Sequence, residues 1–140
     1  MIKGINDIVA KNSIKELLNL NWGHYNLYVV GGLIQGWETN DIDIVVTGPI
    51  LDYINFINLF NKANEISFID ISYHKKLIGI PLGDCTKMKP INIDIGRINK
   101  PSKNIDSYFE NGVWFRRVTY PRPKQIKHKR VYTSHPMLIR

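Results

Sequence analysis

The sequence predicts an α/β (α+β) chain, a small mixed twisted sheet flanked by helices, and three observations predict it. Apolar residues recur at helical spacing at Ile5, Ile8, Val9, Ile14, Leu17 and Leu18, and again at Ile50, Ile54, Ile57 and Phe60. Strand-like runs occupy Leu27 to Val30, Asp41 to Val46, Ile66 to Tyr73, Pro90 to Ile98 and Val113 to Tyr120. Turn-forming residues separate them. With 140 residues, 44% hydrophobic and 22% charged, the chain can bury a core but leaves no room for a second independent domain. Residues 1–120 are expected to form that domain, with residues 121–140 a basic tail of the same unit.

In order, one or two amphipathic helices span residues 5–20, the spacing allowing a break at Asn12 and Ser13. A turn from Trp22 leads into the first apolar strand. The strand from Asp41 is too apolar, through Ile42, Ile44, Val45 and Val46, to lie at a sheet edge. Gly48 and Pro49 set up a helix start, proline being harmless where its missing N–H has no partner to lose, and that helix runs to about Ala63. The strands at 66–73 and 90–98 each carry one aspartate, Asp70 and Asp94, with a Lys-, Gly- and Pro-containing loop between them. A short helical or irregular piece is expected near Asn104 to Glu110. The segment from Pro121 has weak periodicity and is expected to wrap rather than build core.

The chemistry concentrates between Tyr28 and Gly48. A strand ends in the diglycine Gly31-Gly32, and a second strand opens with two carboxylates, Asp41 and Asp43. Strand side chains alternate faces, so Asp41 and Asp43 point the same way and Ile42, Ile44 and Val46 point into the core. Two like charges held that close raise one another's pKa unless a cation compensates, and a hard divalent ion such as Mg2+ suits carboxylate oxygens. The diglycine lets backbone N–H groups approach an anion with no Cβ in the way. A phosphate cradle beside a metal pair suggests phosphoryl transfer.

Charge is unevenly distributed. Residues 1–96 hold 8 Lys, no Arg and 10 acidic residues, net −2; residues 97–140 hold 11 basic and 2 acidic residues, net +9, including all six arginines. Basic residues interleaved with Tyr108, Phe109, Trp114, Phe115, Tyr120 and Tyr132 form a pattern expected of a nucleotide- or nucleic-acid-contacting surface. The bland reading is a solvated tail. Cys85 is the only cysteine, which excludes a disulfide framework within one chain. His24, His74, His128 and His135 lack zinc-ligand spacing and are expected at the surface. No signal pattern opens the chain, and no apolar run approaches the roughly 18 residues of a membrane span. An intracellular, cytoplasmic protein with no membrane partner is expected, in the host-cell cytoplasm if it is viral.

The order strand, diglycine, strand with Asp41-Ile42-Asp43-Ile44, helix, and a later strand with a single aspartate resembles the DNA polymerase beta-like nucleotidyltransferase superfamily. The resemblance covers residues 25–98. Only Leu33 to Asn40 separate turn from carboxylates, slightly short of the family's usual gap. It implies the nucleotidyltransferase fold and a minimal stand-alone enzyme that moves a nucleoside monophosphate from a nucleoside triphosphate such as ATP to an acceptor hydroxyl. It also implies a Mg2+ (or Mn2+) cofactor held by Asp41, Asp43 and a third aspartate. Two ions would serve there, one on the triphosphate oxygens and one at the acceptor hydroxyl. Gly31 and Gly32, with Gln35 and the connector to Asn40, would hold the triphosphate. Strand order favours Asp94 over Asp70 as the third carboxylate; the other would be a polar group near the acceptor or at the surface. Lys75, Lys76, Arg97, Arg116 and Arg117 are candidates for phosphate or acceptor contacts, each weighed against an ordinary solvated charge.

The basic, aromatic last third favours a nucleic-acid acceptor, RNA above all. The contrasting reading is a non-catalytic relative that binds nucleotide or RNA, or an antitoxin-like partner module. Divalent ions discriminate the two, since a binding-only protein has no need to hold like charges together. Nothing in the pattern fixes an oligomeric state.

Overall fold

The fold is described from a computed structural model, over residues 1–75, 77, 79–98, 101, 103 and 106–140. The candidate Lys76 lies outside the described residues, as do residues 104 and 105 of the expected irregular piece. The architecture is mixed α/β: among the described residues, a seven-stranded mixed open sheet, a two-stranded second sheet and three helices.

Helix α1 (Ile8–Leu18) is capped by Asp7, whose carboxylate accepts from Val9 N at 3.1 Å. It runs unbroken through Asn12 and Ser13, because Ser13 turns inward and its hydroxyl donates to Ser67 O at 2.9 Å. Strands β1 (Asn26–Val30) and β2 (Ile42–Thr47) pair antiparallel. Helix α2 (Tyr53–Asn64) starts later than the Gly48-Pro49 signal predicts, since Asp52 accepts from Asn55 N at 3.1 Å and supplies the cap. The later start rotates the buried face. Phe56, Leu59, Phe60 and Ala63 are inside, and Ile54, expected in the buried stripe, is exposed.

Strand β3 (Ile69–His74) lies parallel to β2 with Asp43 opposite Asp70. Short β4 (Gly83–Asp84) follows, then β5 (Ile91–Arg97), β6 (Ser107–Glu110) and β7 (Val113–Tyr120). The sheet order is β6-β7-β5-β3-β2-β1-β9, so β2 is an interior strand, as its apolar character predicts. After the short α3 (Pro123–Lys127), β8 (Val131–Tyr132) pairs with β4, and β9 (Met137–Leu138) adds to β1 as an edge strand. The last twenty residues therefore contribute two short strands, and Tyr132 among them is buried.

The two sheet faces differ. Leu27, Val29, Ile42, Ile44, Val46, Ile71, Tyr73 and Phe115 join α1 and α2 in one large core. The alternate residues, Asp43, Asp70, Ser72 and His74, take the opposite face. There Ile93, Ile95 and Val118 form a smaller cluster. Among the described residues, no helix is long and apolar enough to cross a membrane.

Candidate metal centre

Two adjacent parallel strands in register bring three carboxylates together. Asp43 and Asp70 are paired neighbours on one face, and Asp41, two residues before Asp43, shares that face. One oxygen from each of Asp41, Asp43 and Asp70 lies within 4.8 Å of the others. Asp43 is half-buried while Asp41 and Asp70 are exposed, so the group opens to solvent on one side. Burial pushes the Asp43 carboxyl up to about 7, reinforced by the charges of Asp41 and Asp70 and by a hydrogen bond with Asp70. Asp41 is also raised, by burial and then by Asp70. A divalent cation would relieve the same repulsion, and a set of carboxylate oxygens suits a hard ion. The residues present therefore fit a hard metal ion.

Asp94 is not part of this group. Strand alternation places it on the opposite sheet face, where it accepts from Tyr108 Oη at 3.1 Å and pairs with Arg117 Nε at 3.6 Å. Strand order points to Asp94 because β5 is the later strand; parallel pairing in register decides for Asp70.

The diglycine sits against the acidic group. Gly31 has φ +80°, and a Cβ there would collide with Asp43 Oδ2. A Cβ on Gly32 would lie 3.0 Å from Trp37 and 3.2 Å from Thr39. Gly31→Ala is therefore expected to cost about 1–3 kcal/mol through its positive φ and to weaken Mn2+ binding by displacing the Asp43 carboxylate. Urea denaturation alongside a Mn2+ titration checks both, and unchanged Mn2+ affinity would refute the second.

The other predicted residues separate into those near the group and those spent elsewhere. Gln35 uses its side-chain amide on the C-terminal segment: Oε1 accepts from Thr133 N at 3.0 Å and from Ser134 N at 2.6 Å, and Nε2 donates to Thr133 Oγ1 at 3.3 Å. It is a clasp, and Gln35→Ala should speed amide exchange at Thr133 and Ser134 and cost about 1–3 kcal/mol. Unaltered exchange would refute the clasp. Asn40 is exposed beside Asp41. Lys75 pairs with Glu110 at 3.0 Å and lies over Tyr108 and Phe115, on the face away from the acidic group.

Arg97 and Arg116 do line the cavity that holds Asp43 and Asp70, a space of 280 Å³. Sequence reasoning missed three further lining groups: Ser72, His74 and Arg122. His74, expected at the surface, is buried; its Nε2 lies 3.2 Å from Ser72 Oγ, and burial lowers its pKa to about 4, so it is neutral at pH 7. The alternation Asp70, Ser72, His74 was the available signal. Arg122 comes from the segment read as a tail, and its charge is felt at Asp43. Comparison of the chain with protein-family models, curated proteins and solved structures gave no match.

Proposed function

We propose that the chain is a metal-dependent nucleotidyltransferase that moves a nucleoside monophosphate from a nucleoside triphosphate to an acceptor hydroxyl, RNA being the favoured acceptor. One observation carries this reading: three aspartates from adjacent parallel strands converge beside a diglycine turn that leaves no room for a side chain. The order of that turn and of the Asp41-Ile42-Asp43-Ile44 strand, at a slightly short spacing, is the feature by which the chain resembles DNA polymerase beta-like enzymes.

A bound divalent ion would supply charge neutralisation for the triphosphate and make an acceptor hydroxyl a better nucleophile. Asp41, Asp43 and Asp70 would hold it. Asp70, exposed and next to Asp43, would take the proton that an attacking hydroxyl gives up. The backbone at Gly31 and Gly32 would approach the triphosphate closely. The basic last third supports a polyanionic acceptor.

Label transfer from each α-labelled nucleoside triphosphate, with Mg2+ or Mn2+, into RNA, single-stranded DNA and protein tests the reading. Incorporation by wild type that Asp43→Asn abolishes supports it. Triphosphate binding indifferent to divalent ions would overturn it and favour the binding-only reading.

A further inference from the structure

Two buried side-chain polar atoms have no hydrogen-bond partner among the described residues, His74 Nδ1 and Arg116 Nε. Both residues line the same cavity. A buried polar atom left unpaired costs about 1–3 kcal/mol, and both belong to residues in the wall of one cavity, which marks that wall as unusually polar.

The sheet explains how they come together. His74 of β3 stands opposite Ile95 of β5, and Ile95 opposite Arg116 of β7, so the three form one row across the sheet. Arg97 lies two residues beyond Ile95 on the same face. Arg122 reaches the cavity from the C-terminal segment, immediately before α3, and lies over the Tyr120 ring at 5.2 Å. None of Arg97, Arg116 and Arg122 has a carboxylate partner among the described residues, whereas neighbouring Arg117, on the other face, pairs with Asp94. Burial lowers the Arg116 pKa, and the charges of Arg97 and Arg122 lower it further. Asp70 acts on Arg116 and Asp43 on Arg122 only from beyond ion-pair distance, so much of the repulsion among the three guanidinium groups is left for a multivalent anion to relieve. Their planar forks match phosphate.

The row is also separated from the acidic group. Asp70 and His74 are four residues apart on one strand, about 13 Å of backbone. An anion meeting the arginines is thus distinct from one meeting a metal at the carboxylates, although the two poles share one cavity.

We propose that Arg97, Arg116 and Arg122 form a phosphate-binding subsite that holds a phosphate of the substrate directly, without a metal ion. Its anion binding stands on the arginine geometry alone; its part in nucleotide transfer rests on the reading above.

Calorimetric titration of the full chain with pyrophosphate, in EDTA and at low salt, tests it. Wild type is expected to bind, Arg116→Gln and Arg122→Gln to weaken binding ten-fold or more, and Arg117→Gln and Asp43→Asn not to weaken it. Arg122 is exposed, so its variant keeps the test valid if Arg116→Gln does not fold. No binding by wild type, or equal weakening by Arg117→Gln and Arg122→Gln, would overturn the subsite. Competition in EDTA then identifies the source. Displacement of pyrophosphate by ATP assigns the phosphate to the triphosphate, and displacement by 5′-phosphorylated but not 5′-hydroxyl RNA assigns it to the acceptor. Pyrophosphate binding together with triphosphate binding indifferent to divalent ions would leave the subsite standing and remove the transferase reading; label transfer without pyrophosphate binding would do the reverse.

Discussion

Asp43→Asn and Asp70→Asn should each lower nucleotide transfer by about 10³-fold, the scale for removing a principal electrostatic group from a reacting site, whereas Asp94→Asn should leave it nearly unchanged. The contrast follows from geometry. Asp43 and Asp70 are register partners on one face, within 4.8 Å of each other and of Asp41 at their carboxylate oxygens. Asp94 faces the other way and is occupied by Tyr108 and Arg117. Removing its charge breaks a pair whose arginine side chain is 59% exposed, and an ion pair so open to water contributes about 0–1 kcal/mol. Mn2+ binding provides a readout that needs no acceptor. Asp43→Asn and Asp70→Asn should weaken it ten-fold or more, with Asp94→Asn matching wild type. If Asp94→Asn lost metal and Asp70→Asn kept it, the assignment of the third carboxylate would be wrong.

That assignment marks where the sequence stops being legible. Asp41 and Asp43 can be placed on one face from alternation alone, because both belong to one strand. The third residue depends on which strand lies beside β2 and in what register, and neither is a local property of the chain. The strands at 69–74, 91–97 and 113–120 are readable from their alternation. The start of α2 is less so, since Pro49 is a permissive signal while Asp52 makes the capping hydrogen bond. The C-terminal segment is the largest departure. Its periodicity is weak because its elements are short, five residues in α3 and two each in β8 and β9. Gln35 and the edge of β1 hold it in place, and both contacts span more than a hundred positions or nearly so. Arg122 could not be assigned to the site until that segment was seen to fold back.

Without metal, Asp43→Asn should stabilise the protein above pH 7 even as it removes activity. Asp43 ionises at about 7 in the fold against an ordinary 3.8, because burial and the charges of Asp41 and Asp70 oppose its ionisation. Between those two values the unfolded chain has released the proton and the fold retains it, so stability falls as pH rises and the loss is complete above about 7. The gap corresponds to at most about 4 kcal/mol, less where water screens the carboxylates. His74 works in the opposite sense. Its pKa falls from 6.5 to about 4, so the fold loses stability as pH drops through that window. The two nearly cancel between pH 4 and 6.5, and the raw wild-type curve would conceal both. The difference between Asp43→Asn and wild type removes the His74 contribution. That difference should grow from pH 4 to 7 in favour of the variant, reaching about 5–10 °C in Tm. Mg2+ or Mn2+ at pH 8 should then raise the Tm of wild type and leave the variant nearly unmoved, because only an intact carboxylate group exchanges its repulsion for a bound cation. A difference flat with pH would show that Asp43 is not held protonated, and a metal-induced rise equal in both proteins would place the ion elsewhere.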